Sequence, residues 1–315
     1  MKRRILPTLV AASVACLLAG AVNAAGVLAP DEDEGDLVPT GKGWGQRAYP
    51  NHPNGNGNGN GQASRGNPKG SGINYHGGPV MLGTTNVYYI WYGNWSGNTA
   101  TTILTDLATN IGGSPYFNIN TTYYDGSNRH VSNAVYYAGS TTDSYSQGTS
   151  LSDSQIQTVV SSAIASNQLP KDTNGVYFVL TSSDVTASSG FCTQYCGWHT
   201  HGSIGGSDIK FSFIGNPDRC PSSCEAQSTG PNGNAGADGM ASIISHELEE
   251  AVTDPDLNAW FDRTGQENAD KCAWTFGTTS TANNGSQYNL QLGSRNFLIQ
   301  RNWVNSGNGF CALSL

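Results

Sequence analysis

The stretch Asp238-Gly-Met-Ala-Ser-Ile-Ile-Ser-His-Glu-Leu-Glu-Glu-Ala-Val-Thr-Asp-Pro255 constrains this chain most, because it reads as one helix with an apolar side and a chemical side. Met240, Ile244, Leu248, Ala251 and Val252 recur at steps of three and four, the spacing of a core-facing stripe. Asp238 is placed to cap the start, and Pro255 ends the helix after Asp254. His246 and Glu250 stand one turn apart on the side away from the stripe, and Glu247 lies between the two faces. The motif is His-Glu-x-x-Glu, a relative of the His-Glu-x-x-His zinc motif with a carboxylate for the second imidazole. Two ligands one turn apart can hold one ion. The carboxylate after the first ligand is then placed to take a proton from water as it attacks a carbonyl. The same letters also describe a solvated helix face carrying His246, Glu249 and Glu250, so the rest of the chain has to decide.

A catalytic zinc site needs three protein ligands and an open position. Asp256 follows His246 at an offset of ten, but Thr253 stands where a turn-forming glycine would support that choice. Glu267 and Asp270, in Gln266-Glu-Asn-Ala-Asp-Lys-Cys272, are the preferred candidates, and spacing does not separate them. The imidazole argues for zinc, while the number of carboxylates keeps calcium as the alternative. His199 and His201, in Trp198-His-Thr-His201, are read as loop residues able to reach the cleft and steady a developing oxyanion. The aromatic group Trp91, Tyr92 and Trp95 is read as core or rim, with an exposed sugar-stacking platform as the rival.

The chain opens Met-Lys-Arg-Arg, runs apolar from Ile5 to Val22 and reaches a small-residue cleavage site at Val22-Asn-Ala24, the pattern of a signal peptide over residues 1–24. Losing Lys2, Arg3 and Arg4 with it moves the formal charge from -8 to -11. An acidic exported chain with no further apolar run argues against nucleic-acid partners and against a membrane span. Cys192, Cys196, Cys220, Cys224, Cys272 and Cys311 then remain, an even set that implies disulfides outside the cell. The expected pairing is two local bridges, Cys192–Cys196 and Cys220–Cys224, and a long one, Cys272–Cys311. A structural zinc site of Cys192, Cys196, His199 and His201 is the rival.

Residues 25–71 carry an acidic run, Asp31 to Asp36, and the repeat Asn54 to Gly61, and read as a flexible tether or pro-segment. Residues 72–315 read as one domain. Strands are expected at 87–92, 134–138, 176–180 and 209–214, helices at 99–111, 152–169 and 238–254, and a hairpin near 288–298. Strands alternating with helices imply a single α/β domain with a mixed sheet and flanking helices. The last helix packs on that sheet and an irregular, disulfide-tied C-terminal part follows, an order like that of zincins.

Several stretches resemble the EXORDIUM, or phosphate-induced protein 1, family: His76-Gly-Gly-Pro-Val80 leading into Asn86-Val-Tyr-Tyr-Ile-Trp-Tyr-Gly-Asn-Trp95, Gly190-Phe-Cys-Thr-Gln-Tyr-Cys-Gly197 with His199, Cys220-Pro-Ser-Ser-Cys224, and Pro231 to Met240. The resemblance spans about residues 75–255 and implies an extracellular or cell-wall-associated protein. It assigns no reaction, and the metal inference rests on the helix's own residues. Two functions are therefore carried forward. One is a secreted zinc-dependent metallopeptidase acting on a protein or peptide, with Glu247 as general base. The other is a non-catalytic extracellular protein, with a cell-wall polymer as its partner and at most a structural ion.

Overall fold

The structure is a computed structural model that describes residues 38–42 and 72–315. The expected signal peptide and most of the expected tether lie outside the described residues. Strand β1 (Thr85–Tyr92) leads through helix α1 (Ala100–Asn110) to β2 (Val135–Asp143), and helix α2 (Asp153–Ala165) leads on to β3 (Gly175–Thr181). A hairpin of β4 (Gly197–Ile204) and β5 (Ser207–Ile214) follows, turned at Gly205-Gly206 with φ of 57° and 76°. The sheet order is β2-β1-β3-β5-β4. Neighbours from β2 to β5 run parallel, and β4 is antiparallel at the edge. The mixed sheet expected from the sequence is present. The expected strands and the helices at 99–111 and 152–169 appear with ends moved by a few residues. α2 begins with a capping box in which Ser152 accepts from the Gln155 amide and the Gln155 side chain accepts from the Ser152 amide.

Strand β3 is buried over its whole length, which requires cover on both faces. The glycines of β4 show what covers each face. A Cβ at Gly197 would stand 2.4 Å from Ile243 and 3.1 Å from Glu247 Oε1 of helix α4 (Ala235–Thr253), which follows the short helix α3 (Pro221–Cys224). A Cβ at Gly202 would meet Gln157 of α2 at 3.0 Å. Odd-numbered positions of β4 therefore face α4 and even-numbered ones face α2. α4 packs on β4 and β5 and against α1.

The central helix differs from expectation in two ways. It starts earlier, because Asn234, not Asp238, caps it by accepting from the Ala237 amide. Asp238 sits in the first turn and accepts from the backbone and side chain of Asn232. The helix is also buried all round: every residue from Met240 to Thr253 is inside. Its polar side faces the C-terminal part and the segment around Tyr116, not water. The Gln300 amide donates to Ser242 Oγ, the Asp270 amide donates to Glu250 Oε1, and Tyr116 donates to Glu249 Oε2. The hairpin near 288–298 forms from Leu290–Leu292 and Arg295–Phe297.

The long disulfide Cys272–Cys311 is as expected, but the other two pairs are Cys192–Cys220 and Cys196–Cys224. Cysteines four apart in one turn or short helix point their sulfurs the same way, toward a second segment, and not at each other. Two parallel bridges thus staple the turn at 192–196 to α3, and this removes the alternative structural zinc site of Cys192, Cys196, His199 and His201. Trp91, Tyr92 and Trp95 are buried, so the exposed aromatic platform is absent. No helix among the described residues is long and apolar enough to cross a membrane.

Candidate metal centre

The i, i+4 spacing on α4 puts His246 Nε2 3.0 Å from Glu250 Oε1. The turn Asp270–Cys272, pinned by the Cys272–Cys311 bridge, brings Asp270 Oδ1 to 3.4 Å from the same nitrogen. From β4, His199 Nε2 reaches Glu267 Oε1 at 3.2 Å and Glu250 Oε2 at 3.7 Å. Two imidazoles and four carboxylates, counting Glu247, thus share one space inside the protein. Ligand atoms of one tetrahedral zinc ion stand about 3.4 Å apart, from metal–ligand bonds of about 2.1 Å. The two distances from His246 Nε2, 3.0 Å to Glu250 and 3.4 Å to Asp270, are close to that edge. Two sets of three ligand atoms lie within 4.8 Å of one another, His246 with Glu247 and Glu250, and His199 with Glu250 and Glu267. Glu250 belongs to both.

The electrostatics describe a buried cluster short of positive charge. Burial raises Glu247 well above its ordinary value against the pull of His246, and Glu250 and Asp270 raise it further. Burial and Asp270 push Glu250 up to about 7. Burial raises Glu267 in the same sense, helped by Glu250 and Asp254. Burial would lower His246, but Glu250, Asp270 and Glu247 outweigh it and hold it well above its ordinary value. His199 goes the other way, to about 3, through burial and then the repulsion of His246 and His201. Both oxygens of Glu247, Oε2 of Glu250 and Oδ1 of Asp270 are buried without a hydrogen-bond partner. Unpaired buried carboxylates cost several kcal/mol each unless protonated or neutralised. A divalent cation among these donors would neutralise them together.

Gln300 holds the first imidazole. Its amide contacts His246 Nδ1, and its Oε1 has no other partner. The two ends of an amide are equal in shape, so turning it over lets Nδ1–H donate to Oε1 and leaves the Nε2 lone pair facing Glu250 and Asp270. Nothing local in the sequence marks Gln300. It lies far along the chain from His246 and arrives with the C-terminal strands.

The residues read from the sequence separate cleanly. His246, Glu247, Glu250, Glu267 and Asp270 come together. Asp270 is the partner of His246, and Glu267 is the partner of His199. His199 is a buried strand residue, not a loop residue. His201 turns away to Asp208 at 2.8 Å and Asp256 at 3.7 Å. Lys210 sits among these acids, 2.9 Å from Asp256 and in contact with Asp208. Asp256 is therefore committed to an ion pair outside the centre.

A mixed α/β domain with a buried histidine–carboxylate centre between its last helix, an edge strand and a disulfide-tied tail is the class defined so far. Residues 73–306 match the phosphate-induced protein 1 conserved region, and the chain belongs to that family. It is similar to EXORDIUM-like 5 of Arabidopsis thaliana, 33% identical over 273 residues that cover 73% of this chain and 75% of the relative. EXORDIUM-like 3 of the same plant is 30% identical over 301 residues, 82% of this chain and 89% of the relative. PHOSPHATE-INDUCED 1 of Nicotiana tabacum is 30% identical over 225 residues, 62% of this chain and 68% of the relative. No solved structure matches the chain.

Proposed function

We propose that this is a secreted metallopeptidase whose centre takes zinc on His246, Glu250 and Asp270, with His199 and Glu267 beside it. The observation that carries the reading is Glu247. Both of its carboxylate oxygens are buried and without a hydrogen-bond partner, one residue from a ligand. Its ligand atom lies within 4.8 Å of those of His246 and Glu250, so it stands where hydrolysis needs a base, although a structural ion could also take it as a ligand. Bound zinc would supply Lewis acidity toward water and a peptide carbonyl. Glu247 would take the proton from the attacking water and deliver it to the leaving amine. Gln300 would hold the His246 ring, and His199 would orient Glu267 and Glu250. The sequence of mixed sheet, ligand helix and tail-borne third ligand supports a zincin-like arrangement.

The second reading is a non-catalytic extracellular protein with a structural ion, with calcium as the alternative metal. It is favoured by the complete burial of His246, Glu247 and Glu250, each 0% exposed. Glu247→Gln separates the two. A peptidase keeps its metal and loses hydrolysis of a mixed peptide library by a factor of about a thousand or more. Unchanged metal content with no hydrolysis in either protein would favour the structural ion.

A further inference from the structure

At His199 the outer edge of β4 is covered and does not face solvent. The described residues 38–42 lie against it. The His199 amide donates to the Gly41 carbonyl at 3.0 Å, in the direction a further strand would bond. Burial alternates along the segment: Val38 and Thr40 are exposed, and Pro39 and Gly41 are buried. Gly41 has φ of +66°, and a Cβ there would stand 2.0 Å from the His199 carbonyl oxygen and 3.5 Å from Leu257. No other residue type fits that gap without moving the segment. Lys42 follows and fills a corner built for a cation. Its Nζ is 2.6 Å from Asp153 Oδ2 and lies 5.4 Å and 5.6 Å from the ring centres of Tyr195 and Trp198.

We propose that residues 38–42 are an internal strap seated in a peptide-binding edge beside the metal centre. The edge takes a short segment bent at a glycine opposite His199 and followed by a basic residue in the Asp153, Tyr195 and Trp198 corner. The strap comes from the stretch read from sequence as a tether or pro-segment. It bonds the backbone of the strand that delivers His199 to Glu267 and Glu250. While it is seated, no second extended chain can pair with β4 at His199. The single main-chain bond at His199 and the Lys42 ion pair supply affinity, and the glycine and lysine positions supply selectivity. The role as a regulator of hydrolysis rests on the peptidase reading. The strap and its site do not.

The test uses the full chain, Gly41→Val, and Lys42→Glu as a second variant that leaves the backbone free to adopt its present shape. Amide hydrogen exchange at His199 is read first. Loss of one backbone bond predicts exchange about tenfold faster in both variants. An acetylated peptide with the sequence of residues 38–42 is then titrated in trans. It should bind Gly41→Val and not the unaltered chain, and a peptide with valine at the glycine position should bind neither. Unchanged exchange in both variants, or no binding of the peptide to an edge that exchange shows to be open, overturns the proposal. Peptide hydrolysis is measured alongside. An opened edge that binds the peptide without hydrolysing any substrate sinks the peptidase reading and leaves the strap standing.

Discussion

Strand β4 delivers two histidines from one face, two residues apart, into two different clusters. His199 enters the buried centre with Glu250 and Glu267, and His201 joins Asp208 and Asp256. Each cluster has three ligand atoms within 4.8 Å of one another, so donor spacing alone does not tell them apart. Charge balance and burial do. The His201 cluster carries its own ammonium, Lys210, whose pKa is raised because Asp208 and Asp256 outweigh the effect of burial. Its histidine is 36% exposed. The His199 cluster gathers carboxylates whose pKa values burial drives up. A lysine makes an ion-pair cluster complete without a metal. Its place in the centre is taken by side chains that would each be served by a divalent ion.

The comparison breaks most easily at its third ligands. Asp270→Asn should weaken zinc binding by more than about 100-fold, while Asp256→Asn leaves it unchanged, both read by competition with a chromophoric chelator. Equal effects would erase the distinction between the clusters.

The closeness of His246, Glu247 and Glu250 was legible because it is local to one helix. His246 and Glu250 are fixed by helical spacing, and Glu247 follows from the same helix. The choice between Glu267 and Asp270 was not legible. It depends on how the tail folds back under α4, which the Cys272–Cys311 bridge and the contacts of Gln300 determine. The place of His199 was hidden for another reason. Gly197-Trp-His-Thr-His-Gly-Ser-Ile204 has neither the alternation nor the β-branched content of a typical strand, and pairing with β5 makes it one. The close passage of α4 over Gly197 is likewise a tertiary fact. The cysteine spacing misled because two steps of four look like local loops, when they mark two faces stapled together.

Smaller effects sharpen the picture. Asp238 is a control acid at the far end of the same helix, raised to about 6 by burial against the hydrogen bonds of Asn232 and the pull of Arg295. The folded state keeps a proton there that the unfolded chain has released. This group's contribution therefore favours folding below its ordinary value of 3.8 and declines as pH rises to about 6. Asp238→Asn should flatten that decline, worth at most about 3 kcal/mol, in urea unfolding of the zinc-loaded protein between those pH values. Gln300→Leu should weaken zinc binding about 10- to 100-fold without abolishing it, the effect expected of a group that orients a ligand. Lys210→Met should cost about 1–2 kcal/mol of stability, a buried-pair loss reduced by the exposure of Asp208. Added zinc should recover part of it, because the variant leaves the His201 cluster without its cation.

The central claim is that the buried centre on α4 is a metal site. Metal content by mass spectrometry, on the purified protein and on His246→Ala, tests it most directly. The account predicts about one zinc per chain in the unaltered protein and none in the variant. No metal in the unaltered protein, or the same metal in both, would contradict it and return His246, Glu250 and Asp270 to a buried hydrogen-bonded cluster.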